Sequence, residues 1–484
     1  MKMNQTINKT PNFQVLSADQ CEQIYYAALD VIEHTGGRFF NYEALKLFKE
    51  SDAVVTDDNL VRIPATMVEQ SLRSHPSKIT LTGRNDKNVV KLERNVTNFG
   101  TGSDQPFAYD YRTGERRPST YQDVADASKF VDYLSNYDFL MSHAIVRDVK
   151  NPKTYDRHQF MAMIDNCAKP FIITAMSGEG LEDQWKMACA IRGNEKEFRL
   201  RPIFAIYIEP SSPLKHTTEA VEKLLISADK GIPAIYTPCP SAGATSPATI
   251  PAMLVQSLAE TLQASVLSYL RKPGMPLIMG GVVTVLDMLT SCYSYGAPEL
   301  SLASAAYTDV SKWLGLPMFS TGGCTDSKIL DEQAAAEATT SLFYAYLSGA
   351  NLIHDVGYLD SGLTASLESL VMCQEIIGMV RQIGKGICTE DDHLAWQVID
   401  EIGPAGEFLS HDHTYRHWKD WYVPKLQDRS DYDTWVIEGE KTMNDRVKEE
   451  TVRILAEYQP EPLDESVRAQ MVEIVEEAEK RNAA

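Results

Sequence analysis

Four side chains that could hold a cation crowd into one stretch, GTGSDQPFAYDYRTGERRP, which carries Asp104, Phe107, Tyr109 and Tyr111. Aromatic faces beside a carboxylate are what a quaternary ammonium group requires, because it has no N–H donor and is held by cation–π and charge contacts alone. The same residues also read as a β-hairpin, strand, turn and strand, with the aromatics as cover. Further along, His354 and Asp355 close an otherwise apolar run, and Glu209 follows PIFAIYI. The histidine is either a satisfied core residue or a site residue. The glutamate is either half of an ion pair or a carboxylate for substrate.

Two other motifs suggest chemistry less directly. FSTGGCTDSK is glycine-rich but lacks the GxxxxGK[ST] spacing of a phosphate cradle, and nothing around Cys324 argues for a lowered thiol pKa. HDHTYRH places His411, His413 and His417 at metal-like spacing. With no Glu or Cys recognised beside them, a surface or interface segment is the preferred reading, and no metal is assigned.

These residues need elements to position them. Eight apolar runs recur, beginning at Val96, Phe139, Pro170, Pro202, Pro233, Pro276, Pro317 and Ala350, and five of them open with proline. Proline is tolerated at a strand's first residue and gives a sharp exit from the preceding helix. Helical stretches lie between the runs, among them TYQDVADASKFVDYL, TTEAVEKLLISADKG, IPAMLVQSLAETLQASVLSYL and DEQAAAEATTSLFYAYLSG. Apolar strands alternating with helices predict an α/β fold whose parallel sheet closes into a (β/α)8 TIM barrel. No GxGxxG follows the first strand to favour the alternative, an open doubly wound sheet. Residues 1–94 are expected to form an N-terminal α/β cap, 95–385 the barrel and 386–484 a helical, aromatic-rich C-terminal extension. Ser17 with Gln20 predicts a capping box, and Gly36 or Gly37 a helix stop.

The whole chain bounds the partners. With 484 residues, 44% of them hydrophobic, it can bury a large core, and its formal net charge of −21 disfavours nucleic acid and anionic membranes. Eight scattered cysteines without CxxC give no disulfide framework and point to a reducing compartment. The polar start MKMNQTINKTPNF is no signal peptide, and no run is long enough to span a bilayer, so a cytoplasmic location is expected.

KITLTGRND, YRTGERRPST, STGGCTDSKILDEQAAAEA, LSGANLIHDVGYLDSGLTASLESLVM and GPAGEFLSHDHTYRH with WYVPKLQDR resemble the trimethylamine methyltransferase superfamily, from about residue 15 to 455. The resemblance implies a barrel enzyme that passes a methyl group from a methylated amine to the cobalt of a separate corrinoid protein, the cobalamin being supplied by that partner and not bound tightly here. Archaeal trimethylamine enzymes carry pyrrolysine near the glycine-rich loop, where this chain reads STGGCTDS. It therefore resembles the branch that demethylates quaternary amines, with glycine betaine first and proline betaine or carnitine as relatives. On that resemblance Phe107, Tyr109, Tyr207 and Tyr358 are cage candidates, and Asp104 and Glu209 offset the ammonium charge. His354 anchors a carboxylate or polar tail, and Thr321, Gly322 and Gly323 leave room for the corrin ring. A quaternary nitrogen is already activated, so acid–base residues are not required. A homo-oligomer is expected, the aromatic tail covering a neighbour. Two alternatives remain: a metal-dependent barrel hydrolase or lyase using His354, Glu209 and Asp104, and a betaine-binding protein without catalysis.

Overall fold

The computed structural model describes residues 13–483. The polar start read above therefore lies almost wholly outside the described residues. Within them, seven parallel strands form one sheet: β1 (Asn98–Thr101), β3 (Phe171–Ile173), β4 (Phe204–Ile208), β5 (Ala234–Tyr236), β6 (Leu277–Gly280), β7 (Met318–Thr321) and β8 (Leu352–Val356), where β8 pairs with both β7 and β1. The segment 139–140, β2, bridges the remaining gap, since Phe139 pairs with Gly100 of β1 and Leu140 with Phe171 of β3. The sheet thus closes on itself. All eight apolar runs of the sequence are its staves.

Eight helices alternate with the strands: α1 (Tyr121–Tyr133), α2 (Tyr155–Asn166), α3 (Gly178–Arg192), α4 (Thr218–Lys230), α5 (Ile250–Arg271), α6 (Pro298–Leu314), α7 (Glu332–Ser348) and α8 (Leu367–Gly384). The prolines before the strands lack an N–H, but their carbonyls still join the ladder. Pro170, Pro233, Pro276 and Pro317 accept from Leu140, Ile206, Ala234 and Met279 at 2.9–3.0 Å. Local chemistry sets the helix ends: Thr120 forms a capping box with Asp123, while Gly231, Gly315 and Gly349 end α4, α6 and α7 in the left-handed conformation.

One stave residue from each of seven strands, Phe139, Ile172, Ala205, Ile235, Ile278, Phe319 and Leu352, points inward and fills the barrel. The antiparallel hairpin Ile79–Thr82 with Val89–Leu92 adds Ile79, Leu81, Val90 and Leu92 to the same cluster and plugs the end where the strands begin. Only the opposite end is left for a site.

The first part of the chain packs onto the barrel. Ser17 and Gln20 form the expected capping box, and Gly36 ends the helical segment at φ 77°. Strand Gly37–Phe39 pairs with Leu60–Arg62 and, in parallel, with Lys215–His216 from the β4–α4 loop, so the small sheet is shared with the barrel. After α8, a largely exposed arm precedes two long helices. Met443–Glu457 packs on α8 and α1, and Glu465–Arg481 packs on α3. No helix among the described residues is long and apolar enough to cross a membrane.

Candidate functional site

A cavity of about 290 Å³ opens where the barrel strands end, lined among others by Asp104, Gln105, Tyr207, Glu209, Tyr295, His354, Asp355 and Tyr358. Strand geometry explains the convergence. β4 delivers Tyr207 inward and Glu209 just past its end, β8 delivers His354 and Asp355, and the turn after β1 delivers Asp104 at φ 60°.

The histidine is fixed on both sides. His354 Nδ1 lies 2.8 Å from the Ser320 carbonyl oxygen, Nε2 lies 3.1 Å from Asp355 Oδ2, and the ring sits on Phe319 at 4.0 Å between centroids. Both polar partners accept, so the arrangement needs a proton on each ring nitrogen or one on Asp355. Thr321 Oγ1 donates to Asp355 Oδ2 at 2.8 Å and holds the carboxylate in place. Gly102 makes this approach possible: a Cβ there would stand 2.2 Å from the Tyr358 ring and 2.4 Å from Asp355 Oδ1.

The other two carboxyls differ in support. Asp104 Oδ1 accepts from Gln159 Nε2 at 2.7 Å and from Ser142 Oγ at 3.2 Å, yet burial pushes its carboxyl above the usual range. Glu209 is exposed to the cavity's solvent, with Tyr207 Oη 3.3 Å from Oε2, but the surrounding protein keeps bulk water off most sides and raises it as well. Three carboxyls therefore face one imidazole, and no Lys or Arg stands among the cavity's described lining residues. Lys223 lies behind them, its Nζ donating to the Ala175 carbonyl at 2.9 Å. A cation entering the cavity would draw the raised carboxyls into their charged forms.

Three tyrosine rings complete the wall: Tyr207, Tyr358 and Tyr295. Tyr358 stacks on His143 at 5.3 Å, and burial lowers that imidazole to about 3, which keeps it neutral. Gln105 and Tyr358 approach each other without closing a full hydrogen bond, which leaves both able to meet a polar group of a ligand. Burial drives the Cys239 and Cys324 thiols well above their usual range, so neither supplies a thiolate.

The structure brings together Asp104, Tyr207, Glu209, His354 and Tyr358, as the strand-end rule expects. It does not bring Phe107 and Tyr109 with them. Phe107–Tyr109 pairs antiparallel with Arg116–Pro118, the hairpin reading of that stretch. The Phe107 face is already covered by the Arg116 guanidinium, 3.6 Å from the ring centroid, and Tyr109 donates its hydroxyl to the Lys328 carbonyl beside an outer groove. Gly322 and Gly323 are buried rather than open to the mouth. A Cβ on Gly322 would meet Ile353 at 3.1 Å, and one on Gly323 would meet Val356 at 3.2 Å. Their small size serves packing of the loop against β8. Thr321 is buried as well, its hydroxyl turned to Asp355.

Tyr295 is a lining residue that the strand-end rule misses. It arrives on a hairpin after β6, Thr284–Asp287 with Cys292–Ser294, and Asp326 accepts its backbone N–H at 2.7 Å. The only signal was the unusual length of the loop between β6 and α6.

Comparison with known proteins places the chain among amine methyltransferases. The model of the trimethylamine methyltransferase (MTTB) family matches residues 1–483. Trimethylamine methyltransferase MttB of Desulfitobacterium hafniense is 36% identical over 467 residues, 96% of this chain and 93% of that one. A glycine betaine methyltransferase from another strain of that organism is 31% identical over 465 residues, covering 95% and 96%. The solved Methanosarcina barkeri monomethylamine methyltransferase (MtmB) is similar at a TM-score of 0.49 and 12% identity, covering 90% of this chain and 92% of that one.

Proposed function

The chain belongs to the trimethylamine methyltransferase family and is a methyltransferase, and on that premise we propose that it takes a methyl group from a small quaternary ammonium compound for transfer to a separate corrinoid protein. The observation that carries this reading is the wall of the barrel-mouth cavity, three tyrosines and three carboxyls around one histidine. Rings supply faces for N-methyl groups, and carboxylates offset a permanent charge that offers no proton to share.

A Co(I) corrinoid, when docked, supplies the nucleophile that accepts the methyl group. This chain's part is to bind, orient and desolvate the ammonium. The amine leaves neutral from a quaternary nitrogen, so none of Asp104, Glu209 or His354 has to donate a proton. The STGGCTDS loop of standard residues supports the same assignment. The residues fit an approaching ring in one respect: the cavity is open at the strand ends, where Glu209 is exposed. At that rim the tip of the β6 hairpin exposes Met288 and Leu289, the latter 96% accessible, an apolar contact suited to a partner protein.

Charge balance refines the substrate. The carboxylate of glycine betaine would have to face Asp104, Glu209 and Asp355 with the His354 imidazole as the only basic side chain in the cavity wall. A cation with a neutral tail, such as choline or tetramethylammonium, meets no such repulsion, and Gln105 and Tyr358 could take a hydroxyl. We therefore place a carboxylate-free quaternary amine ahead of glycine betaine, proline betaine and carnitine. The test is to mix the protein with a Co(I) corrinoid protein and each amine, and to follow methylation in the cobalt spectrum. Turnover of choline or tetramethylammonium above glycine betaine is expected, and activity confined to trimethylamine would overturn the quaternary reading. The expected homo-oligomer finds support in the exposed Trp396, Leu409, Trp421 and Ile437 of the arm after α8.

A further inference from the structure

Far from the cavity, the arm between α8 and helix Met443–Glu457 poses a stability problem. Its short helices Asp391–Leu394, Trp396–Ile402, Asp412–His417 and Tyr432–Ile437 contain no buried residue, so apolar burial within this chain does not hold them in one arrangement. Segments with so little core are commonly held by a disulfide or a metal. The arm does tie to the barrel at its far end, where Tyr422 Oη and Lys425 N donate to Glu375 of α8 at 2.9 and 3.1 Å. Gln382 Nε2 of α8 also donates to the Asp420 carbonyl at 2.8 Å, so these ties form one anchored patch in the arm's second half.

The arm's own side chains offer a second. Donor atoms of Cys388, Glu390 and His393 lie within 4.8 Å of one another, as do those of Asp392, His413 and His417, and those of His393, His417 and Asp420. The sets overlap through His393 and His417, whose ring centroids are 4.9 Å apart, with His413 and His417 at 4.4 Å. Two stretches distant in the chain, CTEDDH and HTYRH, thus bring a Cys–His pair against a His–His pair. We propose that Cys388, His393, His413 and His417 hold one structural zinc ion that fixes this arm.

Chemistry selects the ion and the donors. Thiolate with imidazoles suits zinc, whereas calcium and magnesium want all-oxygen shells. Bonds of about 2.0–2.3 Å in a tetrahedron put donors roughly 3.3–3.8 Å apart; His393 and His417 already share one close set, and Cys388 and His413, each close to one of them, have to swing inward on the exposed arm to join it. Asp420 Oδ2, 3.2 Å from His417 Nδ1, would hold that ring with Nε2 toward the ion. Nε2 now faces Asp392 Oδ2 at 2.9 Å, a contact the ion would replace. On binding, the Cys388 thiol gives its proton to solvent and the thiolate bonds to the metal. No residue of this cluster lines the barrel-mouth cavity, so the ion is structural and independent of methyl transfer.

The experiment uses the full chain without an affinity tag, purified without chelator, with metals measured by mass spectrometry. About one zinc per chain is expected. Stripping the metal should speed protease cleavage within residues 386–440 while leaving the barrel's circular dichroism unchanged, and added zinc should reverse this. Cobalt(II) in its place should give a thiolate charge-transfer band that Cys388→Ser abolishes and the surface control His34→Ala keeps. Stripped wild-type protein that takes up no zinc would overturn the proposal. So would zinc retained in full by both Cys388→Ser and His417→Ala, which would locate the ion elsewhere. The wild-type titration needs no variant, so misfolding of a mutant cannot obscure the outcome.

Discussion

Replacing Glu209 by glutamine removes one charge from the cavity while keeping its shape. A cation held roughly 5 Å from the carboxylate gains about 3 kcal/mol at an effective dielectric near 20. Glu209 is exposed in the open cavity, and solvent screening reduces this to about 1 kcal/mol, a roughly five-fold rise in KM. The interaction is as strong before methyl transfer as during it, so kcat should hold. The assay is steady-state methylation of the Co(I) corrinoid protein at varied choline, with 3,3-dimethylbutanol, the uncharged carbon isostere, as competing ligand. Glutamine should leave the isostere's inhibition constant alone while weakening choline. The pH profile supplies a second reading. Burial raises the Glu209 and Asp104 carboxyls, and in its neutral form neither attracts a cation. KM should therefore fall as pH rises through the raised carboxyl range, and fall less steeply in Glu209→Gln. Equal weakening of choline and its isostere would refute the electrostatic argument and point to a changed cavity shape.

Tyr207→Ala should raise KM for the amine about ten-fold by removing a ring from the wall, while Tyr109→Ala and Phe107→Ala should leave it within a factor of about two, since those rings face away; amine kinetics on the three variants decide. Gly102→Ala should lower the thermal midpoint and abolish turnover, because the new methyl occupies the space of the Tyr358 ring, at an overpacking cost of about 1–3 kcal/mol; unchanged melting and activity would contradict that contact. Leu289→Asp at the hairpin tip should raise the half-saturating concentration of the corrinoid protein and leave that of the amine unchanged; equal shifts in both would move the docking surface elsewhere.

The barrel was legible because its strands are buried on both faces. Each reads as a continuous apolar run, and the prolines that open five of them mark the exits from preceding helices. The strand ends were legible for the same reason, and they delivered Tyr207, Glu209, His354 and Tyr358 to one cavity. What sequence reading overvalued was local density. Asp104, Phe107 and Tyr109 lie close along the chain, but only Asp104 sits in the turn directly after β1; in the hairpin that pairs Tyr109 with Arg116, Arg116 covers the Phe107 ring and Tyr109 borders the outer groove.

What sequence reading undervalued was distance. Tyr295 returns to the mouth only because Asp287 pairs with Cys292 and folds the long β6 loop back on itself, and no periodicity announces that register. His393 meets His417 in the same way, with Cys388 beside the first and His413 beside the second, across a stretch with no core to report its fold. The histidine run shows no partnering Cys or Glu within its own stretch, and the structure sets Asp392 beside His413 and His417 from the other side of the arm. The two cases share one physical cause. Hydrophobic burial writes a period into the sequence, 3.6 or 2, wherever it holds an element in place. Polar sites assembled by loops write none, because their geometry is fixed by hydrogen bonds, charge or metal among residues whose separation along the chain is arbitrary. Cavity-lining groups at or just after this chain's strand ends were therefore readable in advance, and Tyr295, carried far along the loop after β6, became readable only in three dimensions.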